Sequence, residues 1–200
     1  MLALSSKVKM RFREDYYYID KTLAGDLNAY GLLVQKHEKV AFTLAKRILK
    51  NKEEAEEATQ DAFLKAYQSL SSFKGNSKFT TWLYKIIYNE ALGRIRKNKE
   101  TTIELDSVCE ISSDTTTYLD GLRTLQLLER RSLIQKGLEA LKPKEAAALT
   151  LFYLEEQSIK EIEVIMNLSS SNIKILLHRG RKSLLEAIQQ LTNSELIHLL

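Results

Sequence analysis

A single proline, Pro143, stands in a chain of 200 residues, and this scarcity constrains the fold more than any other feature. Proline breaks or kinks a helix because it lacks an amide donor and clashes with the preceding turn. A chain almost without proline can form long uninterrupted helices, and an apolar fraction of 44% can supply a core between them. The sequence therefore predicts an all-α protein.

The lone cysteine, Cys109, has no second cysteine with which to form an intramolecular disulfide. The three histidines are scattered, so no zinc-ligand spacing is present. No apolar stretch approaches the roughly 20 residues that cross a bilayer, and the N-terminus lacks the basic-then-apolar order of a secretory signal. We expect a cytoplasmic protein with no membrane insertion, no metal and no cofactor.

Charge divides the chain into three segments. Residues 100–121 contain six acidic residues, no Lys or Arg, and a Ser/Thr-rich run, which is typical of a flexible linker. Taking the −6 of this segment from the net charge of +4 leaves +10 on the other 178 residues. We predict two small helical domains, at 1–99 and 122–200, joined by an acidic flexible linker at 100–121.

Apolar residues recur at helical spacing in both predicted domains. The predicted helices span 23–49, 52–70, about 79–97, 122–141, 144–154, 158–166 and about 169–190. Pro143 can occupy the first turn of the fifth helix, and Ser158 with Glu161 forms a capping box at the start of the sixth. A short helix, a turn at 167–169 and a longer helix have the dimensions of a helix-turn-helix.

The last predicted helix has one apolar and one basic face. Ile173, Leu177, Gly180 and Leu184 share the inner side, and no acidic residue occurs between Ser171 and Leu185. Such a basic face suits the major groove of DNA, where cations neutralise phosphates and polar groups read base edges. A solvated face on a structural helix is the alternative.

The second predicted helix has the opposite charge. One arc is acidic and includes the apolar Leu64 and Tyr67, while the opposite arc is rich in alanine. A protein partner with basic residues would explain these exposed apolar side chains, and ordinary solvation remains the alternative. Between these two helices of opposite charge, residues 73–82 interleave aromatic and cationic side chains around a Gly-Asn-Ser loop, which could hold an unpaired strand. Trp82 itself is expected in the core.

Motifs of phosphate-binding loops, dinucleotide sites, serine hydrolases and zinc proteases are absent. His37, His178 and His198 are isolated in the sequence and are expected to be surface or packing residues. We therefore expect no enzymatic activity, with a hydrolase or metal enzyme as the least favoured alternative.

Two sets of motifs occur in the chain. The first set comprises residues 55–63, 73–74, 79–83, Asn89 and 94–97, and the second comprises 138–145, 158–162, 172–174 and 177–184. These sets resemble regions 2 and 4, respectively, of bacterial RNA polymerase sigma factors. With only an acidic linker between the two regions, the layout is similar to that of the extracytoplasmic-function (ECF) group. The resemblance spans about residues 20–190.

The resemblance implies a sigma factor that binds core RNA polymerase and recognises the −35 and −10 promoter elements. Its partners would be the β′ clamp, the β flap, promoter DNA and an anti-sigma factor. The residues implied in binding the core polymerase are Glu53, Glu56, Glu57, Gln60, Asp61, Phe63 and Leu64. Those implied in binding the single-stranded −10 element are Asn76, Ser77, Lys78, Phe79, Thr80, Asn89, Arg94, Arg96 and Lys97.

The −35 duplex would be read by the helix that begins near Ser171. The implied residues are Ser171, Asn172, Lys174, Ile175, His178, Arg179, Arg181 and Lys182. Three positions depart from the family pattern: Gly93, Glu163 and the pair Ile175-Leu176. The alternative to a sigma factor is a stand-alone helix-turn-helix transcriptional regulator.

Overall fold

The computed structural model describes residues 6–101 and 121–198, with side chains described for 14–98, 130 and 132–192. Throughout these ranges the regular structure is helical, without a strand. The predicted all-α class is confirmed. Residues 102–120, which make up most of the predicted linker and include Cys109, lie outside the described residues.

The first domain contains four α-helices and a short 3₁₀ turn. The helices are α1 (Ser6–Leu23), α2 (Leu27–Leu49), α3 (Lys52–Ser69) and α4 (Phe79–Thr101), and the turn spans Leu70–Ser72. Of these helices α3 packs against both α2 and α4, which also contact each other, while α1 packs mainly on α2.

The second domain also contains four α-helices. They are α5 (Gly121–Ala140), α6 (Pro143–Leu149), α7 (Ile159–Met166) and α8 (Ser170–His198), with a π-helical turn at Thr150–Leu154. The long helix α8 packs against α5, α6 and α7. The two domains are also in contact, through α2 with α6 and α4 with α7.

Local signals explain where several of these helices begin. Asp26 accepts hydrogen bonds from the first amides of α2, and Asn51 accepts one from the amide of Glu54 in α3. Pro143 stands at the first position of α6, as predicted. Ser158 and Glu161 form the predicted capping box at the start of α7.

The core of the first domain rests on a row of small side chains on α3. Ala55, Ala58, Ala62 and Ala66 are all fully buried. Because alanine projects only a methyl group, helices packed against this row can approach closely. The predicted alanine-rich arc of α3 is therefore its inner face.

A close approach also orders the second domain. A Cβ atom added at Gly180 in α8 would lie 3.1 Å from Cγ of Leu149 and 3.4 Å from Cβ of Glu145, both in α6. The absent side chain lets α8 lie directly on α6. Together with buried Ile173 and Leu177, Gly180 forms the inner side of α8 that the sequence predicts.

Helix α1 was not predicted, since the first predicted helix begins at Leu23. Asp15, Ile19 and Thr22 are buried at helical spacing on one face of α1. Asp15 accepts hydrogen bonds from Lys36, at 2.8 Å, and from His37, at 3.2 Å. A hydrophobic pattern fails to reveal this helix because, among its described side chains at 14–23, two of the three buried residues are polar.

These contacts predict a pH-dependent contribution of Asp15 to stability. Burial raises the pKa of Asp15, but hydrogen bonds from His37 and Lys36 outweigh burial and leave the pKa below its ordinary value. A lowered folded-state pKa stabilises the protein above the unfolded-state pKa, near 4, and this stabilisation is lost as the pH falls through the folded-state value. We expect Asp15→Asn to reduce the free energy of unfolding at pH 7 by about 1–3 kcal/mol.

Urea unfolding from pH 7 to pH 3 tests this expectation. The difference between the wild type and Asp15→Asn should narrow below about pH 4. Asp20→Asn, at an exposed position of the same helix, is the matched control and should change stability little. A difference that stays constant over the whole pH range would contradict the role of the Asp15 carboxylate.

Candidate functional surfaces

The outer face of α3 carries carboxylates and two exposed apolar side chains. We define the acidic face as the exposed residues Glu53, Glu56, Glu57, Gln60, Asp61, Leu64 and Tyr67. Leu64 is 57% exposed and Tyr67 40% exposed. The structure thus brings together the predicted acidic residues and both apolar side chains on one accessible surface.

Phe63 does not belong to this face, although the family resemblance implied that it does. Its side chain is only 7% exposed and lies in the core. Phe63 follows Thr59 by four residues and Ala55 by eight, so helical geometry places it on the inner arc. Its backbone carbonyl accepts a hydrogen bond from Tyr30, and burial, which raises the pKa of Tyr30 to about 12, keeps that phenol protonated.

Arg94 of α4 reaches the acidic face. Its guanidinium donates to Oε2 of Glu57, at 2.8 Å, and to a carboxylate oxygen of Asp61. The hydrogen bond with Glu57 is the largest of the influences that raise the pKa of Arg94. One turn further along α4, Asn98 donates to Glu54 at 2.9 Å. The structure therefore holds Arg94, which the sequence assigned to the −10 set, among carboxylates.

The loop of residues 74–78 connects the 3₁₀ turn to α4. Asn76 is exposed, while Ser77, Lys78 and Thr80 are half-buried. Phe79, which the family resemblance implied in DNA binding, is only 1% exposed, and its ring packs in the core. The ring lies 5.8 Å from those of both Phe73 and Trp82, centroid to centroid.

The later residues of the predicted −10 set lie on α4. Asn89, Arg96 and Lys97 are exposed. They are on the same helix as Arg94 but, in contrast to it, present their side chains to solvent. The set thus divides into loop residues, exposed helix residues, the half-buried Thr80 at the start of α4, one buried phenylalanine and one arginine held by the acidic face.

The basic face of α8 is accessible along its length. Its exposed residues are Ser171, Asn172, Lys174, Ile175, His178, Arg179, Arg181 and Lys182. Asn167 adopts the left-handed conformation that ends α7, and Ser169 accepts a hydrogen bond from the amide of Asn172. The short helix α7, the turn and the long helix α8 form the predicted helix-turn-helix.

Tyr153 of the π-helical turn contacts the basic face. Its hydroxyl accepts a hydrogen bond from Nη1 of Arg181, at 3.1 Å. The π-helical turn, which the sequence analysis treated as part of one regular helix, leaves Tyr153 half-exposed beside α8. This contact fixes the direction of the Arg181 guanidinium.

Polar contacts join the two domains near the 74–78 loop. Lys78 forms an ion pair with Glu161 at 2.7 Å. Tyr84 donates to Glu155 at 2.9 Å. Burial raises the pKa of Glu161, but hydrogen bonds from Lys78 and Ser158 lower it by more. The pKa of Glu161 therefore lies below its ordinary value. Glu161 therefore both caps α7 and binds the loop of the other domain.

Arg47 of α2 is buried in the same interdomain contact. Its Nη1 donates to Oγ1 of Thr150 at 2.8 Å, and its Nη2 donates to Gln135 at 3.4 Å. Among the described atoms its Nε has no hydrogen-bond partner. Burial lowers the pKa of Arg47, while the charges of Glu155 and Glu139 act in the opposite direction. A buried cation with neutral hydrogen-bond partners makes this contact costly to form.

These interdomain residues were not predicted from the sequence. Arg47 follows buried Leu44 by three residues and precedes buried Ile48, so its position on the inner face of α2 is visible in the helical period. Its partner Thr150 is 103 residues away, and no local pattern connects the two.

The described residues contain no group of three or more His, Cys, Asp or Glu side chains that could hold a metal ion. None of the described helices is both long and apolar enough to span a membrane.

Comparison with protein families identifies both domains. The family model of sigma-70 region 2 matches residues 33–101, and that of sigma-70 region 4 matches residues 131–184. Together the two matches cover more than half of the chain.

Characterised proteins match over nearly their whole length. The ECF RNA polymerase sigma factor SigW of Bacillus subtilis is 33% identical over 180 residues, which cover 86% of this chain and 96% of SigW. The RNA polymerase sigma-H factor of Pseudomonas aeruginosa is 27% identical, with 89% of this chain and 95% of that protein covered.

Solved structures share the fold. The sigma factor RpoE of Bartonella quintana, in complex with the anti-sigma factor NepR, superimposes with a TM-score of 0.60 at 24% identity, covering 78% of this chain and 96% of that chain. CnrH, in complex with the cytosolic domain of CnrY, gives 0.59 at 19% identity, covering 88% and 98%.

The contact between Arg47 and Thr150 predicts an asymmetric effect of two substitutions. Thr150→Val keeps the shape of the side chain but leaves a buried guanidinium donor without its acceptor, so we expect a loss of about 1–3 kcal/mol in the free energy of unfolding. Adding Arg47→Met removes the stranded charge and should restore most of this loss. Urea unfolding of the two single variants and the double variant measures the coupling.

Thr43→Val is the matched control. The hydroxyl of Thr43 donates to the carbonyl four residues earlier at 2.7 Å, as that of Thr150 does, but Thr43 is half-buried and its hydrogen bond is exposed to solvent. Equal losses from Thr43→Val and Thr150→Val would contradict the role of Arg47.

Proposed function

The chain belongs to the ECF group of the sigma-70 family of RNA polymerase sigma factors, and we propose how its exposed surfaces divide the work of promoter recognition. A sigma factor binds core RNA polymerase and directs it to promoters, where transcription begins. This chain is such a promoter-directing subunit. The assignment of its surfaces to individual partners is our proposal.

The acidic face of α3 binds the β′ clamp of the core polymerase. Its carboxylates attract a basic partner, and exposed Leu64 and Tyr67 supply apolar area at the centre of such a contact. Arg94 holds the carboxylates of Glu57 and Asp61 side by side, so these two groups are already oriented before the partner arrives. We accordingly assign Arg94 to the acidic face in preference to a contact with DNA.

The 74–78 loop and the exposed residues of α4 bind the −10 element as a single strand. Asn76 and Ser77 offer polar groups to an unstacked base, while Lys78, Arg96 and Lys97 supply positive charge for the phosphates. Thr80 and Asn89 complete this surface.

The basic face of α8 reads the −35 element in the major groove. The buried side of α8 fixes its orientation, and the opposite side presents cations for phosphates together with Asn172 and Ile175 for base edges. The second domain also docks on the β flap. Residues 100–121 connect the two domains as an acidic linker.

The remaining parts of the proposal concern setting and regulation. The protein acts in the cytoplasm, where core polymerase and promoter DNA are found, and it carries out no catalysis of its own. An anti-sigma factor binds it, by analogy with the RpoE structure, which contains NepR.

One observation carries the assignment of surfaces: opposite charges are segregated onto separate exposed faces of two domains. The acidic face lies on α3, and the basic face lies on α8 with no acidic residue from Ser171 to Leu185. A partner protein with basic residues and a duplex with phosphates would each meet a surface of complementary charge.

Reversing the charge of the acidic face should weaken binding to the core polymerase. We expect the double variant Glu57→Arg, Asp61→Arg to lower the affinity for purified core enzyme at least about tenfold, because attraction to a basic partner becomes repulsion. A fluorescence binding titration measures the affinity, and circular dichroism checks that the helices remain.

Glu38→Arg is the matched control, since Glu38 is an exposed carboxylate on α2, outside the acidic face. It should bind core within about twofold of the wild type. If the double variant binds as tightly as Glu38→Arg, the acidic face is not the core-binding surface.

Run-off transcription with core polymerase on fragmented genomic DNA tests the function as a whole. The wild type should produce specific start sites preceded by shared −35 and −10 sequences. The variants Lys174→Ala and Arg181→Ala should reduce transcription from these sites, with a deficit that narrows as salt is raised, because each removes a phosphate-neutralising cation and so makes binding less dependent on salt. Binding to core polymerase should stay unchanged.

Lys136→Ala, on α5, is the control for loss of a cation elsewhere in the second domain and should transcribe like the wild type. Wild-type transcription by both Lys174→Ala and Arg181→Ala across the salt titration would overturn the −35 assignment. Tight and specific binding of duplex by the chain alone at physiological salt would instead indicate a stand-alone helix-turn-helix regulator.

A further inference from the structure

Helix α1 contacts the 74–78 loop through Tyr16. The phenol donates a hydrogen bond to the backbone carbonyl of Ser77, at 3.2 Å. The Tyr16 ring stacks on Phe73, with the centroids 6.0 Å apart and the planes inclined by 28°. The Tyr16 side chain thus contacts Phe73, which precedes the loop, and the carbonyl of Ser77, which lies near the end of the loop.

The turn of the loop at Gly75 lies directly beside the Tyr16 ring. Gly75 has φ of +70°, a conformation that side chains disfavour. A Cβ atom at Gly75 would lie 3.5 Å from Cε1 of Tyr16, so the ring lies against the backbone at this turn. Tyr16 is therefore in contact range of the first, middle and last parts of the segment 73–77.

The neighbouring residue of α1 secures the far end of the loop. Asp15 hydrogen-bonds His37, whose ring lies 5.5 Å from that of Phe79, the first residue of α4. Asp15 is buried, and its bonds to Lys36 and His37 hold α1 on α2. Tyr16 therefore contacts Phe73, which precedes the loop, and Asp15 is linked through His37 to Phe79, which follows it.

We propose that α1 is part of the −10 site and that Tyr16 is a positioning residue, which holds the 74–78 loop in the shape that accepts an unstacked base. This inference rests on the proposed binding of the −10 strand by that loop. Tyr16 lies outside the segment 33–101 matched by the family model of region 2. Tyr16 is also far from the loop in the sequence, so the motif of the loop does not indicate this contact.

The physical effect of Tyr16 is to order the loop before DNA binds. An exposed loop rich in Gly, Asn and Ser loses conformational entropy when it closes around a base. A hydrogen bond and a ring contact made in the free protein remove part of that loss from the binding step. Because the Tyr16 ring is 36% exposed, its removal should affect the loop more than the stability of the domain.

Two variants separate the hydrogen bond from the ring contact. Tyr16→Phe removes the hydroxyl and keeps the ring, whereas Tyr16→Ala removes both. Tyr17→Ala is the matched control, because Tyr17 is the next residue, is 58% exposed and packs edge-on against Tyr18. Each variant is assembled with core polymerase, and its affinity for core is measured first.

The probe is the single non-template strand of the −10 segment from a start site mapped by run-off transcription. A second probe lacks the base that the loop captures. Tyr16→Ala should weaken binding of the assembled complex to the intact strand about tenfold, and Tyr16→Phe about threefold to fivefold. Both effects should shrink to less than about twofold with the abasic strand. Tyr17→Ala should match the wild type on both probes.

The outcomes distinguish the two levels of the proposal. If the wild-type complex binds the −10 strand no better than a scrambled strand, the proposed role of the loop fails and this inference fails with it. If the wild type discriminates and Tyr16→Ala binds equally well, only the role of Tyr16 is overturned. Equal losses on the intact and abasic strands would also overturn it, because they would reveal a general structural effect.

Discussion

The close packing of α3 against α2 and α4 is the constraint on which the first domain depends. Four buried alanines allow this approach, and they use only the inner arc of α3. The outer arc is left free of any packing role and can carry a dense set of carboxylates. Since α4 lies alongside, its side chains reach across to those carboxylates, and the proposed partner surface lies at the seam between the two helices.

Those parts of the fold that rest on local signals were predictable from the sequence. The capping box of Ser158 and Glu161 and the position of Pro143 mark helix starts through contacts within one turn. The basic face of α8 follows from helical period alone. Where the family resemblance and the period disagreed, at Phe63, the period was right, because burial is decided by the arc on which a residue lies.

Other features depend on contacts between distant residues and leave little trace in the sequence. Helix α1 is held by a buried carboxylate rather than by an apolar stripe, so a search for hydrophobic spacing passes over Asp15 and Thr22. Phe79 belongs to a motif that suggests base stacking, but its ring packs against the rings of Phe73 and Trp82 in the core. The pairing of Arg47 with Thr150 joins the two domains, and the sequence around either residue does not indicate that the other is its partner.

The ion pair between Lys78 and Glu161 ties the electrostatic potential of the loop to the position of the second domain. An ammonium group beside a carboxylate presents a weaker field to a third ion than the same group alone. A phosphate that approaches the loop therefore meets a site whose attraction depends on how far α7 stands from α4. The positive charge that the loop presents to nucleic acid therefore depends on how the two domains are arranged.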